Sequence, residues 1–177
     1  MRAFFGLSPD AKTKLAIQNW CNKAFPHFNA PVPAANYHVT LAFLGNISGK
    51  QLETVNCLID AMPSVPAFDV SLNQLGYWPK PRAFWLGSQQ TESGHLMLAK
   101  NIHQIANMAG LQLQYRDYIT HLTLARKCNV SPPAPIFSGH FRWHADQFHL
   151  FESKPGPQGV YYPIRQSWPL SKIETSF

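Results

Sequence analysis

Apolar and polar positions alternate along this chain in short blocks, and each block predicts an element. Ala3 to Leu7 is a brief apolar run that predicts a buried strand. Ser8-Pro9 then supplies a helix N-cap followed by a proline at the first helical position. Ile17, Trp20, Cys21 and Ala24 follow at helical spacing, so one face of that helix packs on a sheet. Phe25 to Asn36 carries three prolines and reads as a loop. Tyr37 to Gly45 predicts a strand, and Ser48 with Gln51 forms a capping-box pattern. Val55, Leu58, Ile59 and Met62 make the apolar stripe of the helix that follows, which Pro63 and Pro66 close.

In the second half, Phe68, Val70 and Leu72 alternate as a strand, with Arg82 to Gly87 expected as its antiparallel neighbour. A third helix is predicted from Thr91 to Ala109, with Leu98, Ile102, Ile105, Ala106 and Ala109 on one face and Gly110 as its stop. Tyr118 to Lys127 is a further strand. Ser131-Pro132-Pro133-Ala134-Pro135 is a stiff loop, and Gln147 to Glu152 and Gly159 to Ile164 are expected to pair as closing strands. The order is an α+β arrangement in two similar lobes, within one domain spanning residues 1–177.

Two of these strands share a kernel. His38-Val39-Thr40-Leu41-Ala42 is matched by His121-Leu122-Thr123-Leu124-Ala125. Side chains alternate across a strand, so each His shares a face with the Thr two residues on. Two such strands brought together would set two imidazoles and two hydroxyls around one pocket. A single histidine on an apolar strand is usually a satisfied core or edge residue. A repeated His and Thr on the face that a core strand would make apolar points instead to acid–base chemistry on a phosphate.

Composition narrows the picture. The chain has 177 residues, 45% hydrophobic and 14% charged, which suits a globular domain and not a disordered one. Its net charge of +6 favours an anionic partner such as nucleic acid. Cys21, Cys57 and Cys128 are odd in number and widely spaced, so reduced thiols are expected, with neither a disulfide framework nor a zinc cluster. The apolar start is too short for a signal peptide, and no apolar run reaches membrane-spanning length. A cytoplasmic protein is expected, and a monomer, although no residue pattern addresses oligomeric state.

The paired kernels resemble those of the two-histidine (2H) phosphoesterase superfamily, and within it the bacterial LigT-like RNA 2′,3′-cyclic phosphodiesterases. Arg2-Ala3-Phe4-Phe5-Gly6-Leu7, Phe84-Trp85-Leu86-Gly87 and Tyr162-Pro163-Ile164 with Trp168 extend the resemblance over nearly the whole chain. Thr120 departs from it, standing where the family pattern has proline before the second His. The resemblance implies a bilobal, pseudo-two-fold fold with antiparallel sheets lining a central cleft and helices outside. It implies RNA ending in a 2′,3′-cyclic phosphate as substrate, such as a tRNA fragment, opened to a 2′-phosphate. It also implies His38 as proton donor and His121 as proton acceptor, roles that chemically alike motifs do not separate. The reverse reaction would make a 2′–5′ RNA linkage.

Thr40 and Thr123 are the candidate phosphate donors. Arg126 joins them through the resemblance, although its odd offset from His121 turns it off the motif face unless a twist or bulge redirects it. Phe5, Phe43, Trp85 and Tyr118 are candidates for base stacking, against the commoner role of aromatics in a core. Lys80, Arg82 and Lys154 are candidates for a phosphate-backbone path. No metal or other cofactor is expected: proton transfer needs only side chains, His140, His144 and His149 lack partners for a ligand set, and phosphate-binding glycine loops are absent. Two other readings remain open, a cyclic phosphodiesterase for small nucleotides (ADP-ribose cyclic phosphate, 2′–5′ oligonucleotides) and a non-catalytic RNA-binding module.

Overall fold

A computed structural model describes residues 1–25, 27–114 and 116–172. Pro26, one of the prolines in the predicted loop, lies outside the described residues. Eleven strands and three α-helices follow one another along the described chain. The first half comprises β1 (Arg2–Leu7), α1 (Ala11–Ala24), β2 (Val39–Asn46), α2 (Gly49–Asp60) and β3 (Phe68–Leu72). β4 (Gln74–Trp78), β5 (Ala83–Gly87), α3 (Ser93–Met108) and β6 (His121–Ala125) come next. The chain closes with β7 (Phe141–Ala145), β8 (Gln147–Glu152), β9 (Lys154–Gly156), β10 (Gly159–Tyr161) and β11 (Ile164–Pro169).

Seven strands form one sheet in the order β11-β8-β1-β2-β6-β5-β4, and every recorded pair in it is antiparallel. β1–α1–β2 and β5–α3–β6 are equivalent units, each a pair of adjacent strands linked over a helix. They meet at the pair Val39↔Leu122, which is the residue after the histidine in each motif. The two units flank that pair in the order β1-β2-β6-β5. The physical cause is burial: Val39 and Leu122 are both fully buried, as are Leu41 and Leu124 beside them, so the motif strands share one core face. α1 buries Ile17, Trp20, Cys21 and Ala24, and α3 buries Leu98, Ile102, Ile105 and Ala106. The β3–β7 ribbon touches both, α1 through β7 and α3 through β3. Among the described residues, no helix is long and apolar enough to cross a membrane.

Several local expectations need correction. α1 is capped by Asp10, whose carboxylate accepts from the Thr13 amide at 2.7 Å, and not by Ser8. An ionised carboxylate is the stronger acceptor at a helix N-terminus, and its pKa is lowered by that bond. β3 pairs with β7, while β5 lies between β4 and β6. Residues 159–161 form a small hairpin with β9, and the strand beside β8 is β11. The capping box of Ser48 and Gln51 on α2 is present in full.

Candidate active site

The four motif side chains lie on the face of β2 and β6 opposite the core. His38, Thr40, His121 and Thr123 are all half-buried, while the residues between them point inward. Continuing the antiparallel register from Val39↔Leu122 sets His38 across from Thr123 and Thr40 across from His121. Each imidazole therefore has the other motif's hydroxyl as its cross-strand neighbour.

Both rings are held in one way. His38 Nδ1 lies 2.7 Å from the Asn36 carbonyl oxygen, and His121 Nδ1 lies 2.8 Å from that of Ile119. A carbonyl only accepts, so each Nδ1 carries a proton and each neutral ring keeps its lone pair on Nε2. Aromatic rings flank both. His38 has Phe4 at 4.6 Å and Tyr162 edge-on at 4.9 Å between centroids. His121 has Trp78 edge-on at 4.6 Å and Trp85 at 6.1 Å. Burial lowers the His38 pKa to about 4, against an opposing contribution from the Asn36 bond, with Arg126 and His121 adding repulsion to the charged form. Burial lowers His121 as well, and Arg126 again disfavours its protonation.

Arg126 reaches this face because the strand slips. In β6, Thr123 pairs with Trp85 and Ala125 with Phe84, which leaves Leu124 as an extra residue. In β2, Thr40 pairs with Gly6 and Ala42 with Phe5, which leaves Leu41 extra. Both bulges fall three residues after the histidine. Each reverses the alternation, so Ala42 and Ala125 are buried while Phe43 and Arg126, five residues after their histidines, stand exposed. The duplicated bulge makes the odd offset a feature of the site.

A cavity of about 490 Å³ lies elsewhere, walled by Leu96, Ala99 and His103 of α3, by Leu113, Arg116 and Tyr118, and by Leu41. It contains neither motif histidine. Among the described residues, no group of three or more His, Cys, Asp or Glu side chains could hold a metal ion.

The LigT like Phosphoesterase family model matches residues 7–85. The crystal structure of Escherichia coli LigT in its apo form superposes with a TM-score of 0.85 at 30% identity, over 96% of this chain and 97% of that one. The chain belongs to the LigT-like family of 2H phosphoesterases. A curated E. coli relative, named RNA 2′,3′-cyclic phosphodiesterase, is 28% identical over 97% of each chain. A Thermus thermophilus protein of the same name is 26% identical over 96% of this chain and 90% of its own. E. coli LigT complexed with 3′-AMP superposes with a TM-score of 0.87 at 30% identity, over 96% of this chain and 98% of that one.

In this LigT-like chain the expected site residues divide. His38, Thr40, His121, Thr123, Arg126 and Phe43 stand on or beside one face of the central strands. Trp85 pairs across from Thr123 and is half-buried, so it shares that face. Phe5 does not: it is fully buried against Phe148 and Trp168, because its position on β1 alternates into the core. The Tyr118 hydroxyl is tied to His95 and to the Thr40 carbonyl, and its half-buried ring lines a cavity that includes neither motif histidine. Arg82 bonds Asn129, and Lys154 lies near Glu152. Sequence reasoning missed Phe4, Trp78 and Tyr162 as walls of the histidine pockets. Phe4 lies opposite Phe43 on β1 through a register that only the structure gives, and Trp78 needed the unforeseen β4.

Proposed function

We propose that this protein is a metal-independent RNA 2′,3′-cyclic phosphodiesterase that opens the terminal ring to a 2′-phosphate. The observation that carries the proposal is the matched pair of imidazoles, each with Nδ1–H on a backbone carbonyl and Nε2 left for chemistry. Hydrolysis proceeds by water attacking phosphorus while the bond to the 3′ oxygen breaks. His121 Nε2 takes the proton from water, and the His38 imidazolium gives its Nε2 proton to the departing 3′ oxygen. With a pKa of about 4 the free His38 ring is neutral at pH 7, and the donor role requires it to take up a proton beside the bound anionic phosphate. Thr40 and Thr123 donate to the non-bridging oxygens, and Arg126 offsets their charge. The curated relatives bear this activity in their names, which supports RNA as the substrate class. Microscopic reversibility then gives 2′–5′ ligation when a 5′-hydroxyl RNA replaces water. Three free thiols are consistent with the cytoplasm as its location.

The test is a short RNA ending in a 2′,3′-cyclic phosphate, incubated with the protein in excess EDTA. The expected product carries a 2′-phosphate. His38→Ala and His121→Ala are each expected to reduce kcat about 10²–10⁴-fold. Undiminished turnover in either variant would remove the two-histidine mechanism. A cyclic mononucleotide opened faster than the oligomer would move the substrate assignment to small nucleotides.

A further inference from the structure

We propose that Tyr118, oriented by His95, is a positioning residue that ties the two motif strands together and sets the approach of their catalytic faces. The inference rests on the cyclic phosphodiesterase reading. Between β2 and β6 the register records the single pair Val39↔Leu122, so the central seam of the sheet is short. Its neighbours are longer, with six recorded pairs between β1 and β2 and four between β5 and β6. A short seam lets two motif strands splay, and their separation decides whether two imidazoles reach one phosphorus atom.

A second tie spans the same gap. The Tyr118 hydroxyl, on the segment leading into β6, donates to the Thr40 carbonyl oxygen of β2 at 3.0 Å. Its only proton goes to that carbonyl, so it accepts from His95 Nε2–H at 2.8 Å. This order places one proton on His95 Nε2 and aims the Tyr118 hydroxyl proton at Thr40. His95 itself is 1% exposed and stacks on Phe68 at 4.9 Å, which anchors the chain to α3 and β3. Beside it, the Thr120 hydroxyl meets that of Thr91 at 2.8 Å. Thr120 is the departure from the family's proline, and its buried hydroxyl, held by the half-buried Thr91, ties down the residue before His121 from the same side. None of these groups borders the reacting atoms. They hold Thr40, and through its strand His38, against the second motif.

Turnover of cyclic-phosphate RNA by the parent chain, Tyr118→Phe, His95→Leu and His95→Gln decides the matter, with folding checked by circular dichroism. Tyr118→Phe is expected to lower kcat about tenfold while KM moves less than about twofold, as for a group that orients without touching substrate. His95→Leu is expected to match it. His95→Gln, which keeps an N–H for the Tyr118 oxygen, is expected to recover most of the loss. A folded Tyr118→Phe with kcat within about twofold of the parent overturns the proposal. Inactivity of the parent sinks the functional reading instead. The tie is then judged by amide hydrogen exchange in residues 39–41 and 121–123. Tyr118→Phe must speed that exchange about tenfold or more, and unchanged exchange overturns it.

Discussion

At the residue scale, the two histidines combine a fixed tautomer with a pKa pushed the wrong way for holding a proton. His38 is lowered to about 4 and His121 is lowered too, so both rings are neutral in the free protein at pH 7. The acid role needs one ring charged and the base role needs the other neutral. The profile of kcat/KM against pH should thus be a bell on the acid side of 6.5, falling as pH rises past the higher of the two values. Arg126 is one cause, since its positive charge opposes protonation of both rings. Arg126→Gln removes that repulsion, so both histidine pKa values should rise and the optimum should move to higher pH. Imidazole titration by NMR reads this directly, and unmoved resonances would mean the guanidinium does not act on the rings. The same variant should weaken substrate binding, because the phosphate loses its cation. Of these features, the identity of the four motif side chains and their shared face were legible in two repeated pentapeptides. The carbonyl partners of Nδ1, two residues before each histidine, were not, because they depend on how the chain turns into each strand.

At the element scale, the informative features are the paired bulges at Leu41 and Leu124 and the hairpin of β4 with β5. Strict alternation sends residues 43 and 126 to the core, and only the extra residue in each strand returns them to the open face. No composition signal marks these bulges, since Leu suits either face. β4 was not anticipated, and Gly76 inside it with prolines after it weakens its strand signal. The same glycine explains the strand's role. A Cβ on Gly76 would stand 2.0 Å from the Trp85 ring, which lies flat across it beside His121. Gly76→Ala is expected to displace that indole, cost about 1–3 kcal/mol of stability and raise KM more than it lowers kcat. Urea unfolding and steady-state kinetics on the oligonucleotide check both parts, and an unchanged urea midpoint would show that the indole is not confined there.

At the scale of the whole molecule, buried neutral histidines make the fold sensitive to acid. His95 and His38 are both lowered to about 4 by burial, against an unfolded value of about 6.5. Below pH 6.5 the unfolded chain binds protons that the folded chain refuses, so stability is full above 6.5 and is lost progressively toward pH 4. Urea midpoints measured across that window should fall with decreasing pH, and a flat series would contradict the burial of these rings. The sequence by itself determined the α+β class, the three helices and the repeated His-x-Thr kernel. Each of those is written in local periodicity, where a residue's neighbours lie within a turn or a strand. Only the tertiary structure decided which strands pair, that β2 and β6 meet at Val39 and Leu122, and that Phe5 is core while Phe4 walls the site. Those outcomes depend on contacts between residues far apart in the chain, where one position of slip reverses every face.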